Sequence, residues 1–217
     1  MSRQIVVAGA GPGVGAAVAH RFGRDGYDVG LLARSADRLE SLATELRETG
    51  ATADWAPVDL TVRDDVAGAV ARFGERTGRI DVLHFNPSAF TQADPLELTA
   101  DQLLHDLELG VASMLTVVQA ARPFLQAGAR VLATGSRSAD RPWAAAASLG
   151  VQKAGLRNLV AAVDSTLKNE GIRAATLTVN GTISEGSAFD PAHIADALYA
   201  LAQTSSNDWR TTIPFDG

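Results

Sequence analysis

The chain has no cysteine among its 217 residues, which excludes disulfides, zinc–thiolate sites and thiol nucleophiles together. Its four histidines are scattered, never two at i and i+4, so no metal site is expected. Basic residues are outnumbered, 19 Lys and Arg against 25 Asp and Glu, for a formal net charge of −6. Nucleic acid and anionic membranes both favour a basic surface, so neither is expected as a partner. No apolar run reaches the length of a membrane span. The opening "MSRQIVVAGAGPGVG" is apolar for one strand's length and then turns glycine-rich, unlike a signal peptide. A cytoplasmic, soluble protein is expected. Lysine is scarce: only Lys153 and Lys168 occur, and Lys153 sits inside the alanine-rich stretch "ASLGVQKAGLRN".

What is present is a regular alternation. With 46% hydrophobic residues the chain is long enough for one well-buried core, and residues 1–217 read as a single domain. "RQIVVAG", "DVGLLAR", "TADWAPV", "IDVLHFN", "ARVLATG" and "IRAATLTV" are short, β-rich and nearly all apolar, as strands buried on both faces should be. Between them run amphipathic segments at 14–25, 36–49, 62–77, 99–126 and 144–170. A further helix at 191–204 precedes a short last strand in "RTTIPFDG". Strands alternating with helices predict an α/β fold: a Rossmann-like, doubly wound parallel sheet of about seven strands with helices on both faces.

The first motif is "VVAGAGPGVGAAVAHRF", a strand, a glycine turn and a helix in order. Glycines at 9, 11, 13 and 15 let the backbone turn sharply and approach a pyrophosphate, which then rests on the helix N-terminus. The second strand ends at Arg34. A carboxylate there would select NAD, whereas Arg34, with Arg38 on the next turn, suits the 2′-phosphate of NADP. Asp59, after the third strand, suits either a hydrogen bond to the adenine amine or helix capping.

In their order, these motifs resemble those of the short-chain dehydrogenase/reductase family. The family's TGxxxGxG stands here as "AGAGPGVG", its acidic residue after the third strand as Asp59, and its Asn-Asn-Ala-Gly as "FNPS", in which only Asn86 matches. Its Pro-Gly after the sixth strand stands as Asn180-Gly181, followed by Thr182 and Ile183. The resemblance implies nucleotide contacts from Gly9, Gly11, Gly13, Val14, Gly15, Arg34, Ser35, Asp59, Leu60, Asn86, Lys153, Gly181 and Ile183, with NADP(H) as cofactor. It also implies an active site of Asn, Ser, Tyr and Lys. Here the serine position is Ser136 and the lysine Lys153, but the asparagine position is Gly110 and the tyrosine position Leu149. Leu149 can neither donate nor accept a proton, so the usual general acid is missing.

Substitutes are few. Ser148 adjoins Leu149 but points about 100° around the helix. His84 has a suitable pKa near the ligand-binding edge of the sheet, or is an ordinary half-buried strand histidine. Arg137 and Arg141, with Asp140, either bind an anionic substrate or cap the helix that follows. The connection "TISEGSAFD" is shorter than the family's usual substrate lid. Three functions stay open. The first is an NADP(H)-dependent oxidoreductase on a small carbonyl or imine with a non-standard proton donor. The second is a non-catalytic NADP(H)-binding sensor or partner subunit, and the third a non-redox biosynthetic enzyme on the same scaffold. The resemblance further implies a homodimer or homotetramer through the helices at 99–126 and 144–170.

Overall fold

The computed structural model describes residues 2–217. Seven strands form one parallel sheet: β1 (Arg3–Ala8), β2 (Tyr27–Ala33), β3 (Ala53–Pro57), β4 (Ile80–Phe85), β5 (Leu125–Ser136), β6 (Arg173–Val179) and β7 (Thr212–Phe215). Their spatial order is β3-β2-β1-β4-β5-β6-β7. Every neighbouring pair is parallel. This is the doubly wound sheet that the alternation predicts. Strand order reverses between β1 and β4, and ligands in such sheets bind at the carboxyl ends flanking that reversal.

Side chains alternate along each strand and divide the core in two. Val6 and Ala8 of β1 face a layer that includes Val66, Phe73, Met114, Leu156 and Val160. Ile5 and Val7 face the opposite layer, with Val18, Phe22, Leu39, Leu46 and Leu198. Thus α1 (Val14–Arg24), α2 (Ala36–Glu48) and α7 (Pro191–Gln203) cover one face, while α3 (Arg63–Thr77), α5 (Ser113–Ala121) and α6 (Ala147–Leu167) cover the other.

One helix departs from the sequence reading. The segment expected as continuous over 99–126 is α4 (Ala100–Leu107), a π-turn over Glu108–Ala112, then α5, with a 3₁₀ turn at Arg122–Phe124. Pro123 lacks the N–H a further helical turn needs, and the chain is already extended at Leu125. The π-turn contains Gly110, where the missing Cβ admits a neighbouring side chain. No helix of the described residues is long and apolar enough to cross a membrane.

Candidate active site

Three cavities run in series along the carboxyl edge of the sheet. The first, about 330 Å³, lies beside the ends of β1–β3 and is bounded by Gly9, Arg34, Ser35, Val58 and Leu60. The second, about 360 Å³, is bounded by Val14, Ser136, Leu149, Lys153 and Ile183. Gly11, Asn86 and Ser88 line both. The third, about 570 Å³, joins the second through Ser136, Leu149 and Gly181 and opens past Arg137, Arg141 and Trp143.

The glycine turn is shaped by contacts that only glycine allows. Gly9 has φ +88° and lies against Pro87, with Pro87 Cδ 3.0 Å from where a Cβ would stand. A Cβ on Gly15 would collide with the Gly9 carbonyl oxygen, so the first turn of α1 packs directly on the loop. Around Gly11 and Gly13 the space is open, and α1 begins without a side-chain cap. Ala16 N donates to Gly11 O at 2.9 Å and Ala17 N to Gly13 O at 3.1 Å, and no side chain caps the N-terminus of α1, the kind of end that binds a phosphate group. Residues around the first cavity fit a dinucleotide: an apolar floor of Val58, Leu60 and Leu109, and a cationic rim of Arg34 and Arg38. Neither arginine has a carboxylate ion-pair partner among the described residues. Ser35 lines the cavity and caps α2, accepting from Arg38 N at 3.5 Å.

Asp59 is not on the cavity wall. Its Oδ1 accepts from Thr61 N at 2.9 Å and Thr61 Oγ1 at 2.8 Å, closing a turn before α3. These bonds, foremost the backbone one, hold its carboxyl below the usual range. The N-cap of α3 is Val62, so Asp59 does not cap that helix.

Asn86 ties three strand ends together. Its Nδ2 donates to Gly9 O at 3.1 Å, while Thr134 Oγ1 donates to its Oδ1 at 2.8 Å. With that proton committed, Thr134 Oγ1 accepts from His84 Nε2 at 3.0 Å, which fixes the neutral tautomer bearing hydrogen on Nε2. This corrects the reading of His84 as a substitute acid. The ring is 1% exposed and lines none of the three cavities, and desolvation, then the nearby Lys153 charge, lowers its pKa to about 3. It is a neutral brace inside the sheet.

Lys153 is 4% exposed, and its Nζ donates to Thr134 O at 3.1 Å and Pro87 O at 3.4 Å. Burial lowers its pKa to about 8. Leu149, one turn earlier on α6, lines the second and third cavities where a phenol is absent. Ser136 Oγ lies 2.7 Å from Ser138 Oγ and accepts from Ser138 N at 3.2 Å, so its hydroxyl is anchored at the junction.

Gly110 is filled rather than empty. A Cβ there would overlap the side chain of Gln152, a residue that sequence reasoning did not single out. Gln152 is fully buried; its Nε2 donates to Asp106 O at 3.1 Å, and its Oε1 accepts from Ser88 Oγ at 3.2 Å. Ser148, one turn before it, donates to Asp106 Oδ2 at 2.6 Å, away from the cavities. The only hint in the sequence was that Gly110 and a glutamine beside Lys153 occur together.

Beyond β5, Asp140 is bound by Arg157, with one contact at 2.8 Å, while Arg137 Nη1 donates to Asn180 O at 3.1 Å. Neither arginine at 137 or 141 caps a helix: the helical path resumes only at Ala144. The short connection after β6 folds back on itself. Asp190 caps α7 through Ala192 N at 2.8 Å and also accepts from Gly186 N at 2.6 Å. Only Gly181, Thr182 and Ile183 reach the cavities.

The family model described as short chain dehydrogenase matches residues 3–188. The chain belongs to the short-chain dehydrogenase family, whose members are oxidoreductases that use nicotinamide cofactors. An uncharacterized oxidoreductase of Staphylococcus epidermidis is 24% identical over 212 residues, covering 92% of this chain and 91% of its own. A short-chain dehydrogenase/reductase from Serratia marcescens superposes with a TM-score of 0.91 at 24% identity, over 99% of this chain and 96% of its own. A metagenomic short-chain oxidoreductase solved in complex with NADP gives 0.87 at 23%, over 98% and 97% of the two chains.

Proposed function

We propose that the chain is an NADP(H)-dependent oxidoreductase acting on a small carbonyl or imine, with Lys153 as the proton donor where the tyrosine is missing. One observation carries this reading: Lys153 is the only titratable side chain on the wall of the second cavity. Two of its three N–H groups have backbone carbonyl partners, and the third is free for a substrate oxygen or nitrogen. A pKa near 8 leaves it protonated at neutral pH and close to the value best suited to proton transfer.

When bound, the reduced nicotinamide supplies the hydride to the electrophilic carbon. The chain's own residues do the rest. Ser136 donates a hydrogen bond to the developing oxyanion or amine, Lys153 Nζ releases a proton to it, and solvent restores that proton. Arg34 and Arg38 are placed to hold a 2′-phosphate, and the open backbone of the glycine loop a pyrophosphate. The NADP complex of a relative with the same fold agrees with that preference. An imine that arrives protonated depends least on the donor.

Reduction of an aldehyde at saturating NADPH should therefore slow as pH rises above about 8, because the donor must be protonated. Lys153→Arg, which stays charged, should lose that break. A flat profile in the unaltered protein, with NADPH bound, would remove Lys153 from the role. Leu149 itself favours a second reading, an NADP(H)-responsive sensor or partner subunit; stable NADPH binding without turnover on any carbonyl or imine would support it.

The same reading includes self-association. Leu104, Leu115 and Val151 are 63%, 43% and 50% exposed on one face of α4, α5 and α6, around a groove of about 920 Å³. We assign this face to a homodimer contact. A clean monomer by light scattering at micromolar concentration would sink the assignment.

A further inference from the structure

We propose that the third cavity is a subsite for the carboxylate of an acid-bearing substrate, held by Arg137 and Arg141 with its apolar body against Trp143 and Leu149. The proposal rests on the reductase reading only for what happens at the substrate's other end.

Charge is the first argument. The protein is acidic overall, with a formal charge of −6, yet the side chains bounding this cavity include two arginines and no acid. Six of the fifteen other arginines, Arg21, Arg72, Arg79, Arg122, Arg157 and Arg173, each meet a carboxylate. Arg137 and Arg141 have no such partner among the described residues. The one acid between them, Asp140, is bound by Arg157 through both oxygens. Asp140 feels the Arg141 charge but forms its ion pair with Arg157, and Arg137 is held by the Asn180 carbonyl, so neither cation at the cavity mouth has a carboxylate ion pair and both attract anions.

Shape supplies the second argument. Trp143 and Phe90 are 53% and 55% exposed and stack with ring centroids 5.8 Å apart, an aromatic pair standing in water beside the opening. Trp143, Pro142 and Leu149 form the apolar part of a lining that also holds Ser136, Ser138 and Thr182. A ligand matching this lining is amphipathic, with an oxyanion at one end and a hydrocarbon or aromatic body behind it. A guanidinium fork matches a carboxylate's two oxygens, and no glycine turn lines this cavity to gather backbone amides around a phosphate. At about 570 Å³ the cavity has the size of a small-ligand site. Continuity with the second cavity through Ser136 and Leu149 places the body of such a ligand on the path to Lys153.

The test uses 3-phenylpropionate and its neutral isostere 3-phenylpropionamide, titrated calorimetrically into the NADPH-saturated full chain. The reduced cofactor is chosen because its nicotinamide carries no positive charge of its own. The carboxylate should bind on the order of tenfold more tightly than the amide at low salt, the margin narrowing as salt screens the exposed guanidinium groups. Arg141→Gln should reduce the margin and Arg137→Gln with Arg141→Gln abolish it, with NADPH affinity and unfolding midpoint unchanged. Equal or tighter binding of the amide, no binding of either compound, or a margin that survives the double change would each overturn the proposal. If the chain fails to bind NADPH yet the apo protein keeps the carboxylate preference, the subsite stands and the cofactor reading falls.

Discussion

The two sides of the strand-order reversal have departed from the family pattern to different degrees. Around the ends of β1–β3, the glycine turn, the cationic rim and the apolar floor are all in place. Around β4–β6, Ser136 and Lys153 stand on the wall with Leu149 between them, and Gly110 lies beneath, filled by Gln152. The first region works mainly through backbone geometry, which tolerates no substitution at Gly9 or Gly15. The second works through side chains on the cavity wall, Ser136, Leu149 and Lys153 among them. Backbone and side-chain contacts thus hold the two regions separately, so each can be altered without the other.

The sharpest way to break this contrast is to restore the phenol. Leu149→Tyr should raise aldehyde reduction by at most about 10²-fold, the low end of a general acid's usual contribution, because Lys153 already supplies a proton. A steady-state assay with NADPH checks this, and no gain despite intact NADPH binding would mean that the reacting cavity serves other chemistry. On the other side of the reversal, Arg34→Asp should cost about 1.5–3 kcal/mol of NADPH affinity and erase or invert the preference over NADH. Equal calorimetric affinities of the unaltered protein for both cofactors would refute the role of Arg34.

Gly110→Asn should fail as a restoration. The new side chain must displace buried Gln152, at about 1–3 kcal/mol of stability in urea unfolding, whereas pairing it with Gln152→Ala should recover most of that loss. Full stability of the single variant would show that Gln152 moves aside freely.

The last effect appears only in acid. His84 has a folded pKa near 3 against an ordinary 6.5, so between these values the unfolded chain binds the extra proton. Stability from this group is fully present above about 6.5 and declines as pH falls toward 3, by at most about 1.4 kcal/mol per unit. His84→Gln should flatten that part of the pH–stability curve; an unchanged slope would assign the acid sensitivity elsewhere.

How much was legible follows from the same contrast. Strand and helix periodicity, the glycine turn and the Arg34 position are local patterns, and the sheet forms where they lie. The interruption of the long helix at 108–112 was not readable, because a π-turn is decided by what packs across it, here Gln152 from another helix. For the same reason Gly110 read as a deletion although the space is filled. Of the two readings open for His84, the ordinary strand histidine holds, and only the folded chain decides it, because its burial and its bond to Thr134 on β5 are long-range. Arg137 and Arg141 were visible as a cluster, but only the folded chain separates them from Asp140, which Arg157, seventeen residues further along the chain, holds from α6.

The chain of bonds from His84 through Thr134 and Asn86 to Gly9 crosses β4, β5 and β1 in one direction, each group giving its proton to the next. Such a one-way series works as a cross-brace: reversing any link would leave a buried donor facing a donor. The glycine turn is thereby fastened from beneath before any ligand arrives. An arriving phosphate finds its cradle already set, and the entropy that an unbraced loop would lose on binding has been surrendered during folding instead.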